Sequence, residues 1–304
     1  MPSQGFLDLL AYLEQRGRST DGDPTMAELR AKVVALNERF YDPPAHGFNE
    51  VDAGGVDAAW VTSPEAEAGR AVVHFHGGGY GTGSMHTHRD LCARISRAAR
   101  AAVLVVDYSL APEHRFPVAL DEGLAAYRWL VGDQGLRPEG IALTGDSAGA
   151  GLALGLGLAC RDQGEPMPAA ISAISPLGDL AHTGRSVSER AARDPLVSVR
   201  GSHAYAMRYV RSWHDLRNPY ASPVYGDFSG MPPIQLFVGT EEALYDDAIR
   251  IAESVQRASG EVDLQVAEGM VHDWPLFASQ VPEGQDAIDS LGQFVQKHAS
   301  SVRD

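Results

Sequence analysis

Two kinds of hydrophobic pattern alternate along the chain. Short, nearly unbroken apolar runs occupy 71–76, 102–108, 141–144, 169–175, 234–238 and 262–267. Runs of this kind are typical of strands buried on both faces of a parallel sheet. Apolar residues recur at helical spacing in the intervening stretches, over 86–101, 117–131, 241–259 and 284–298, with a small-residue helix that ends at Cys160. Strands that alternate with helices predict a mostly parallel, doubly wound α/β sheet.

The N-terminal region has a different pattern. Apolar residues at i, i+3, i+4 and i+7 predict an amphipathic helix over 3–15. Asp23-Pro24-Thr25 opens a second helix, in which Thr25 and Glu28 have the spacing of a capping box. Alternation over 51–62 around a Gly-Gly turn predicts a hairpin. We expect the two helices, which precede the first strand, to cover part of the sheet edge.

Residues 178–230 interrupt the strand–helix alternation. They are rich in Gly, Pro, Arg and aromatic residues, with one helical segment near 199–213 and no convincing strand. We interpret this stretch as an insertion. The chain shows no internal repeat and no linker, so we expect one domain, 1–304, with a cap formed by 1–45 and about 178–225.

The chemistry centres on Gly145-Asp146-Ser147-Ala148-Gly149, which lies between a predicted strand and a predicted helix. Gly-x-Ser-x-Gly at such a junction is typical of a nucleophile elbow. The turn is so tight that the residues flanking the serine must be small. The pattern therefore predicts Ser147 as a nucleophile held exposed at a helix start.

A serine hydroxyl needs a general base, which a third group orients. Of the histidines after Ser147, His272 alone directly follows a predicted strand, so it should lie at the carboxyl edge of the sheet, where the elbow also opens. The loop after the preceding strand carries four carboxylates, and composition does not choose between them: Glu241, Glu242, Asp246 and Asp247.

Acyl transfer also needs hydrogen-bond donors for the oxyanion of the tetrahedral intermediate. The backbone N–H of Ala148 is one candidate. The run Gly77–Gly79, directly after His76 and a buried strand, supplies others, because glycines let the backbone approach a substrate closely. The sequence thus predicts an oxyanion hole between two loops.

Five motifs in this order resemble the hormone-sensitive-lipase-like family of α/β-hydrolases, which are mostly bacterial carboxylesterases. They are His76–Gly79, Asp107–Glu113, Gly145–Gly149, Ser175-Pro176 with Asp179-Leu180, and the His272 loop. The resemblance extends from about 45 to 298 and implies an α/β-hydrolase fold with a helical cap.

The resemblance also implies individual roles. Ser147 would be the nucleophile, His272 the base, and Gly78, Gly79 and Ala148 the oxyanion donors. The triad acid of the family is usually Asp before Pro-Leu; Glu242 stands at that position here, before Ala243-Leu244, and Asp246 is the second choice. Ser109 also departs from the family, which usually has Arg there.

The function that follows is a serine carboxylesterase acting on short- to medium-chain carboxylic esters through an acyl-enzyme. The alternatives are a lactone hydrolase or acyltransferase on the same triad and, more remotely, a non-catalytic small-ligand receptor. Candidates for the substrate pocket are aromatic residues: Tyr80, Tyr205, Tyr209 and Trp213.

Net charge, motifs and cysteine content limit the classes of partner and cofactor that we expect. A net charge of −15 argues against a nucleic-acid surface or an anionic membrane. The chain has no P-loop and no complete Gly-x-Gly-x-x-Gly. His74, His76, His86 and His88 could suggest a metal cluster, but the oxyanion motif already explains His76. We therefore expect no cofactor and no metal. Two cysteines in apolar helices, with no signal peptide or spanning segment, favour a cytoplasmic location. The resemblance suggests a homodimer.

Overall fold

The computed structural model describes residues 2–17 and 24–301. Within them, eight strands form one sheet in the order β1-β2-β4-β3-β5-β6-β7-β8. The first two neighbour pairs, β1 with β2 and β2 with β4, are antiparallel, and every later pair is parallel. The strands are β1 (Gly47–Asp52), β2 (Asp57–Thr62), β3 (Ala71–Phe75), β4 (Ala102–Val106), β5 (Ile141–Asp146), β6 (Ala170–Ile174), β7 (Ile234–Gly239) and β8 (Val262–Ala267).

The described residues also form α-helices, most of which follow a strand. They are α1 (Gln4–Gly17), α2 (Met26–Phe40), α3 (Arg89–Ala99), α4 (Val118–Gly132), α5 (Ser147–Gln163), α6 (Ser186–Glu189), α7 (Val199–Tyr209), α8 (Tyr245–Arg257) and α9 (Pro282–His298). In the described part of the chain, no helix is long and apolar enough to cross a membrane. The doubly wound α/β prediction is confirmed.

Hydrophobic cores lie on both faces of the sheet. One contains buried side chains of α4, α5 and α8, such as Leu124, Leu154 and Ile251. The other contains side chains of α3 and α9, such as Ile95 and Leu291. The central strands β3, β5 and β6 are buried throughout, which explains why their sequences are continuous rather than alternating apolar runs.

The main differences from the predicted elements lie at helix starts on the carboxyl edge. The helix predicted from 86 begins at Arg89, and the one predicted from 241 begins at Tyr245. In the second case the preceding residues form a turn instead, because the Glu241 N–H donates to the Met270 carbonyl of the neighbouring loop at 3.0 Å. Tertiary contacts thus override helical propensity where loops meet.

The two N-terminal helices lie in different places. Phe6, Leu9 and Leu13 of α1 are buried in the core that contains α9, and Ser3 hydrogen-bonds Glu283. Helix α2 has the predicted capping box. Its Arg30 donates to the Gly81 carbonyl at 3.0 Å and pairs with Glu113 at 2.7 Å, so α2 lies beside the loop after β3.

Residues 178–230, all of which the structure describes, contain α6, α7 and two 3₁₀ turns but no strand, as predicted. The chain leaves the sheet after β6 and re-enters it at β7, which is the adjacent parallel strand. The stretch is therefore an insertion between neighbouring strands, and the sheet continues across it.

Candidate active site

The elbow is a turn that only small residues permit. Strand β5 ends at Asp146 and α5 begins at Ser147, whose φ is 50°. A Cβ added to Gly149 would lie 1.9 Å from the Phe75 carbonyl oxygen, and one added to Gly145 would lie 2.3 Å from the Gly149 carbonyl carbon. The turn is thus packed against the end of β3, and it holds Ser147 in a left-handed conformation that costs about 1–3 kcal/mol for a non-glycine residue.

Three loops from the carboxyl edge bring Ser147, His272 and Glu242 together. Ser147 Oγ lies 2.9 Å from His272 Nε2, and His272 Nδ1 lies 3.2 Å from Glu242 Oε2. With the proton on Nδ1 donated to Glu242, Nε2 is free to accept the serine proton. This arrangement can perform nucleophilic acyl transfer.

Glu242 is the carboxylate that contacts the imidazole. Its Oε1 accepts hydrogen bonds from the Gly239 N–H at 2.6 Å and the Ser175 hydroxyl at 2.8 Å. Burial raises the pKa of Glu242, and the hydrogen bonds from His272, Gly239 and Ser175 oppose that rise. A carboxylate held this rigidly can fix the imidazole ring in one orientation.

The other three carboxylates of this loop have different partners. Asp246 accepts from the Ser186 N–H at 3.0 Å. Asp247 accepts from the N–H groups of Gly178 and Asp179, and Glu241 pairs with Arg193 at 3.0 Å. Within the described residues, none of the three contacts His272, so the geometry favours Glu242 over Asp246.

The glycine loop after β3 faces Ser147. Gly78 and Gly79 have φ values of 117° and 62°, and both line the cavity described below. The Gly78 carbonyl accepts from the Thr82 hydroxyl at 2.9 Å. The N–H groups of Gly78, Gly79 and Ala148 have no hydrogen-bond partner among residues 2–17 and 24–301, so they remain available for an oxyanion.

Sequence reasoning missed the part played by His88. Its Nε2 lies 3.2 Å from Asp146 Oδ2 and 3.3 Å from the Gly77 nitrogen. Burial would raise the pKa of Asp146, but His88 and His74 outweigh it and hold that pKa well below the ordinary range. His88 therefore links the glycine loop to the elbow, because the same ring nitrogen contacts both.

The histidines near the glycine loop are accounted for by such contacts. His74 Nε2 lies 3.3 Å from Asp146 Oδ1. His76 stacks on Tyr108 with ring centroids 4.2 Å apart, and burial lowers its pKa to about 3. In the described part of the chain, no group of three or more His, Cys, Asp or Glu residues is placed to hold a metal ion.

Asp273 is a second residue that sequence reasoning missed. Its Oδ2 lies 3.0 Å from His272 Nε2, the same nitrogen that faces Ser147. Burial alone would lower the pKa of His272, but the carboxylates of Asp273 and Glu242 outweigh it and raise that pKa well above the ordinary value. The position of Asp273, directly after the predicted base, is visible in the sequence; the direction of its side chain is not.

A cavity of about 220 Å³ opens over Ser147. Its side chains come from three places: α2 (Val33, Leu36, Asn37), the insertion (Leu196, Val197, Ser198, Ser202, Tyr205) and the carboxyl edge (Thr82, His88, Asp146, Leu177, Leu244, His272, Asp273, Leu276, Phe277). The lining is largely apolar, with a smaller number of polar side chains. This is the usual composition of a small-molecule site.

Of the four aromatic residues predicted for the pocket, Tyr205 lines the cavity. Tyr80 and Tyr209 are buried instead, because they stack face to face with centroids 3.7 Å apart. Trp213 is 68% exposed on the surface. The structure therefore brings one of the four to the cavity, and contacts between the rings account for two of the others.

A serine after β5, an imidazole after β8 and a carboxylate after β7, in hydrogen-bonded order at one edge of a mostly parallel sheet, define a serine hydrolase of the α/β class. Residues 72–276 match the family model of the alpha/beta hydrolase fold, and the chain belongs to that family.

Relatives and solved structures agree with this assignment. An acetyl-hydrolase of Streptomyces hygroscopicus is 41% identical over 246 residues, which cover 81% of each chain. An esterase from the bacterial hormone-sensitive lipase family matches with a TM-score of 0.93 and 36% identity, over 99% of this chain and 100% of that one. EstE5 soaked with p-nitrophenyl butyrate matches with a TM-score of 0.92 and 36% identity, over 97% and 99%. The predicted resemblance to hormone-sensitive-lipase-like hydrolases is confirmed.

Proposed function

We propose that the protein is a serine carboxylesterase that hydrolyses short- to medium-chain carboxylic esters through an acyl-enzyme intermediate. The observation that carries this proposal is the continuous hydrogen-bonded series from Ser147 through His272 to Glu242 at the floor of an apolar cavity. The names of the relatives, which include an acetyl-hydrolase and esterases, support the same reaction.

In the proposed mechanism, His272 Nε2 takes the proton of Ser147 as Oγ attacks the ester carbonyl. Glu242 stabilises the imidazolium that forms. The imidazolium then gives its proton to the departing alcohol, which leaves an acyl group on Ser147. A water molecule, deprotonated by His272 in the same way, releases the carboxylic acid and restores the serine.

We assign the oxyanion to the N–H groups of Gly78, Gly79 and Ala148. Their lack of other partners within the described residues supports this assignment. Loss of one such donor typically reduces transition-state stabilisation by about 2.7–4 kcal/mol. The helix that starts at Ser147 adds a positive dipole end beside the same position.

We also propose that 1–45 and about 178–225 form the cap of a single domain. Helix α2 and the insertion both contribute to the cavity lining, which supports a covering function. Residues 1 and 18–23 of the proposed cap lie outside the described residues. A cavity of about 220 Å³ is smaller than typical drug-sized sites of roughly 300–1,000 Å³, which favours short acyl or alcohol groups.

A homodimer in the cytoplasm is our proposal for assembly and location. The sheet order leaves β8 at one edge, where Val266 is 44% exposed, and a second copy could pair with this strand. Cys92 and Cys160 are buried free thiols, compatible with a reducing compartment. Sedimentation equilibrium tests the dimer, and cell fractionation tests the location; a monomer at all concentrations, or activity in an external fraction, would contradict them.

The decisive experiment replaces the nucleophile. Ser147→Ala should lower kcat for a p-nitrophenyl ester about 10⁴-fold or more and abolish labelling by a fluorophosphonate probe. The exposed Ser229→Ala is the matched control and should retain both. Full turnover by Ser147→Ala would disprove the mechanism. Product analysis with competing alcohols, and turnover of lactones, separates the esterase from an acyltransferase or lactone hydrolase.

A further inference from the structure

Two groups contact the nitrogen that must accept the serine proton. His272 Nε2 lies 2.9 Å from Ser147 Oγ and 3.0 Å from Asp273 Oδ2. In the triad mechanism, Nε2 needs a free lone pair directed at the serine hydroxyl. A carboxyl group at hydrogen-bond distance from the same atom competes for it, because a proton between Nε2 and Oδ2 occupies that lone pair.

The backbone fixes Asp273 in this position. Its φ and ψ are 53° and 34°, in the left-handed region, so the side chain projects back toward the preceding imidazole. Its N–H donates to Ser175 Oγ at 3.2 Å, and that hydroxyl donates to Glu242 Oε1 at 2.8 Å. The residue that follows the base is therefore connected to the triad acid through one hydroxyl group.

Among the described residues, the Asp273 carboxyl contacts the imidazole of His272 and also interacts electrostatically with His88. The residue is 7% exposed, and Oδ1 has no hydrogen-bond partner among residues 2–17 and 24–301. Its side chain forms an ion pair with His272 and none with Lys or Arg in that part of the chain. A buried carboxylate in this situation is stabilised mainly by a protonated His272.

We propose that Asp273 shares the Nε2 proton of His272 with Ser147 in the free enzyme, and that it thereby sets the lower pH limit of activity. This inference rests on the proposed esterase function. Below that limit, one proton lies between Nε2 and Oδ2, and the base is blocked. When that proton is lost to solvent, Nε2 becomes free to take the serine proton, which later leaves with the alcohol.

Asp146, Glu242 and His88 are the other titratable groups that face the pair. Burial lowers the pKa of His88, but the carboxylates of Asp146 and Asp273 outweigh it and raise that pKa. Asp146, at the end of β5, stays ionised because His88 and His74 lower its pKa despite burial. Glu242, after β7, contacts the opposite nitrogen, and the insertion and α2 line the cavity with no Asp, Glu, Lys or Arg side chain. Burial raises the pKa of Asp273, and the carboxylates of Asp273 and Glu242 raise the pKa of His272 despite its burial, so the pair holds its proton to a higher pH than an ordinary histidine does.

The test is Asp273→Asn, because Asn has the same shape and tolerates the left-handed region as well as Asp does. An opposite charge within about 4–6 Å typically shifts a pKa by about 1–3 units. The acid limb of kcat/KM against pH should therefore move down by about 1–3 pH units. Glu268→Gln removes an exposed carboxylate of the same loop and should leave the limb in place. An unchanged limb in a folded Asp273→Asn would overturn the proposal.

A second measurement needs neither the variant nor turnover. In the wild-type protein labelled with ¹⁵N-histidine, the imidazole signals of His272 should report a proton on Nε2 at neutral pH and a titration above the ordinary histidine range. A free Nε2 at pH 7 would overturn the proposal. This readout also separates two failures: a protonated Nε2 without esterase activity contradicts only the proposed function, and esterase activity with a free Nε2 contradicts only the Asp273 inference.

Discussion

The carboxyl edge of the sheet and the proposed cap meet at one cavity but are held in different ways. At the edge, backbone atoms approach so closely that a single Cβ does not fit, as at Gly149. The cap segments at the cavity are connected to the edge by side chains: Arg30 reaches the Gly81 carbonyl, and Asp194 reaches the Ala243 N–H. The reacting groups therefore depend on backbone geometry, while the cavity walls depend on replaceable side chains.

This difference predicts how each region tolerates substitution. A change at the edge should abolish folding or catalysis, because the neighbouring backbone atoms cannot move aside as a side chain does when it changes rotamer. A change in the cap should adjust selectivity or rate by smaller factors, because neighbouring side chains can repack. Four experiments test the comparison, in order of expected effect.

The largest effect is expected at the triad acid. Glu242→Ala should lower kcat by about 10³–10⁴-fold, because His272 loses the group that fixes its tautomer and stabilises its charge. Asp246→Ala is the matched variant in the same loop, and its loss should stay within about tenfold, since its carboxylate contacts Ser186 instead. Steady-state kinetics with one ester decides between them. A larger loss at Asp246 would assign the acid to that residue.

The second experiment adds one methyl group to the elbow. Gly149→Ala should reduce the free energy of unfolding by about 3 kcal/mol or more, because its Cβ would lie 1.9 Å from the Phe75 carbonyl oxygen. Denaturant titration measures the change. Gly132→Ala, at a helix end where a Cβ meets nothing within 4 Å, should be neutral or stabilising by up to about 1 kcal/mol. Equal stabilities for the two variants would refute the close-packed edge.

The third experiment tests where the cap touches the edge. Asp194 accepts from the N–H of Ala243, next to Glu242, and from the N–H groups of Leu196 and Val197 in the cavity wall. Asp194→Asn lacks one acceptor and should lower kcat/KM about tenfold. The reason is that the loop after β7 that carries Glu242, which we call the acid loop, is then less well positioned.

Its matched control is Asp215→Asn. Asp215 accepts from the N–H groups of Arg211 and Ser212 within the insertion. No hydrogen bond connects its side chain to the acid loop among the described residues, so kcat/KM should change less than twofold. This is well below the tenfold change that corresponds to about 1.4 kcal/mol. If both variants lost activity equally, we would conclude that Asp194 stabilises the cap and does not position the acid loop.

The smallest effect is expected in the cavity wall. Leu36→Ala in α2 should raise the kcat/KM ratio of a hexanoyl ester to an acetyl ester about 3–10-fold, because the cavity lengthens by part of one side chain. Leu10→Ala, in α1 and packed against the same core but not in the cavity lining, should leave the ratio unchanged. A ratio that did not respond to Leu36→Ala would remove α2 from the acyl-binding surface.

The sequence predicted the sheet, the elbow and the base because each leaves a local pattern. Buried parallel strands produce continuous apolar runs, and a tight turn demands glycine on both sides of Ser147. His272 could be selected because a position after a strand maps onto a sheet edge. These are consequences of backbone topology, and backbone topology can be inferred from neighbouring residues.

Side-chain placement could not be inferred in the same way. Choosing Glu242 from four carboxylates required a family resemblance, because the choice depends on which side chain a turn directs inward. Asp273 was overlooked because the orientation of its side chain depends on a left-handed φ, and this φ cannot be predicted from the residue type. Tyr80 and Tyr209 were expected in the pocket, but their rings stack on each other and are buried instead.

The insertion between β6 and β7 has a consequence for how such enzymes diversify. Its two ends join adjacent parallel strands, so the whole stretch is topologically one long crossover connection. A crossover can be lengthened, shortened or exchanged between homologues without shifting the register of the strands it joins. Substrate range can therefore be inherited and recombined separately from reaction chemistry, provided that an exchanged segment still supplies an acceptor for the Ala243 N–H where Asp194 now stands.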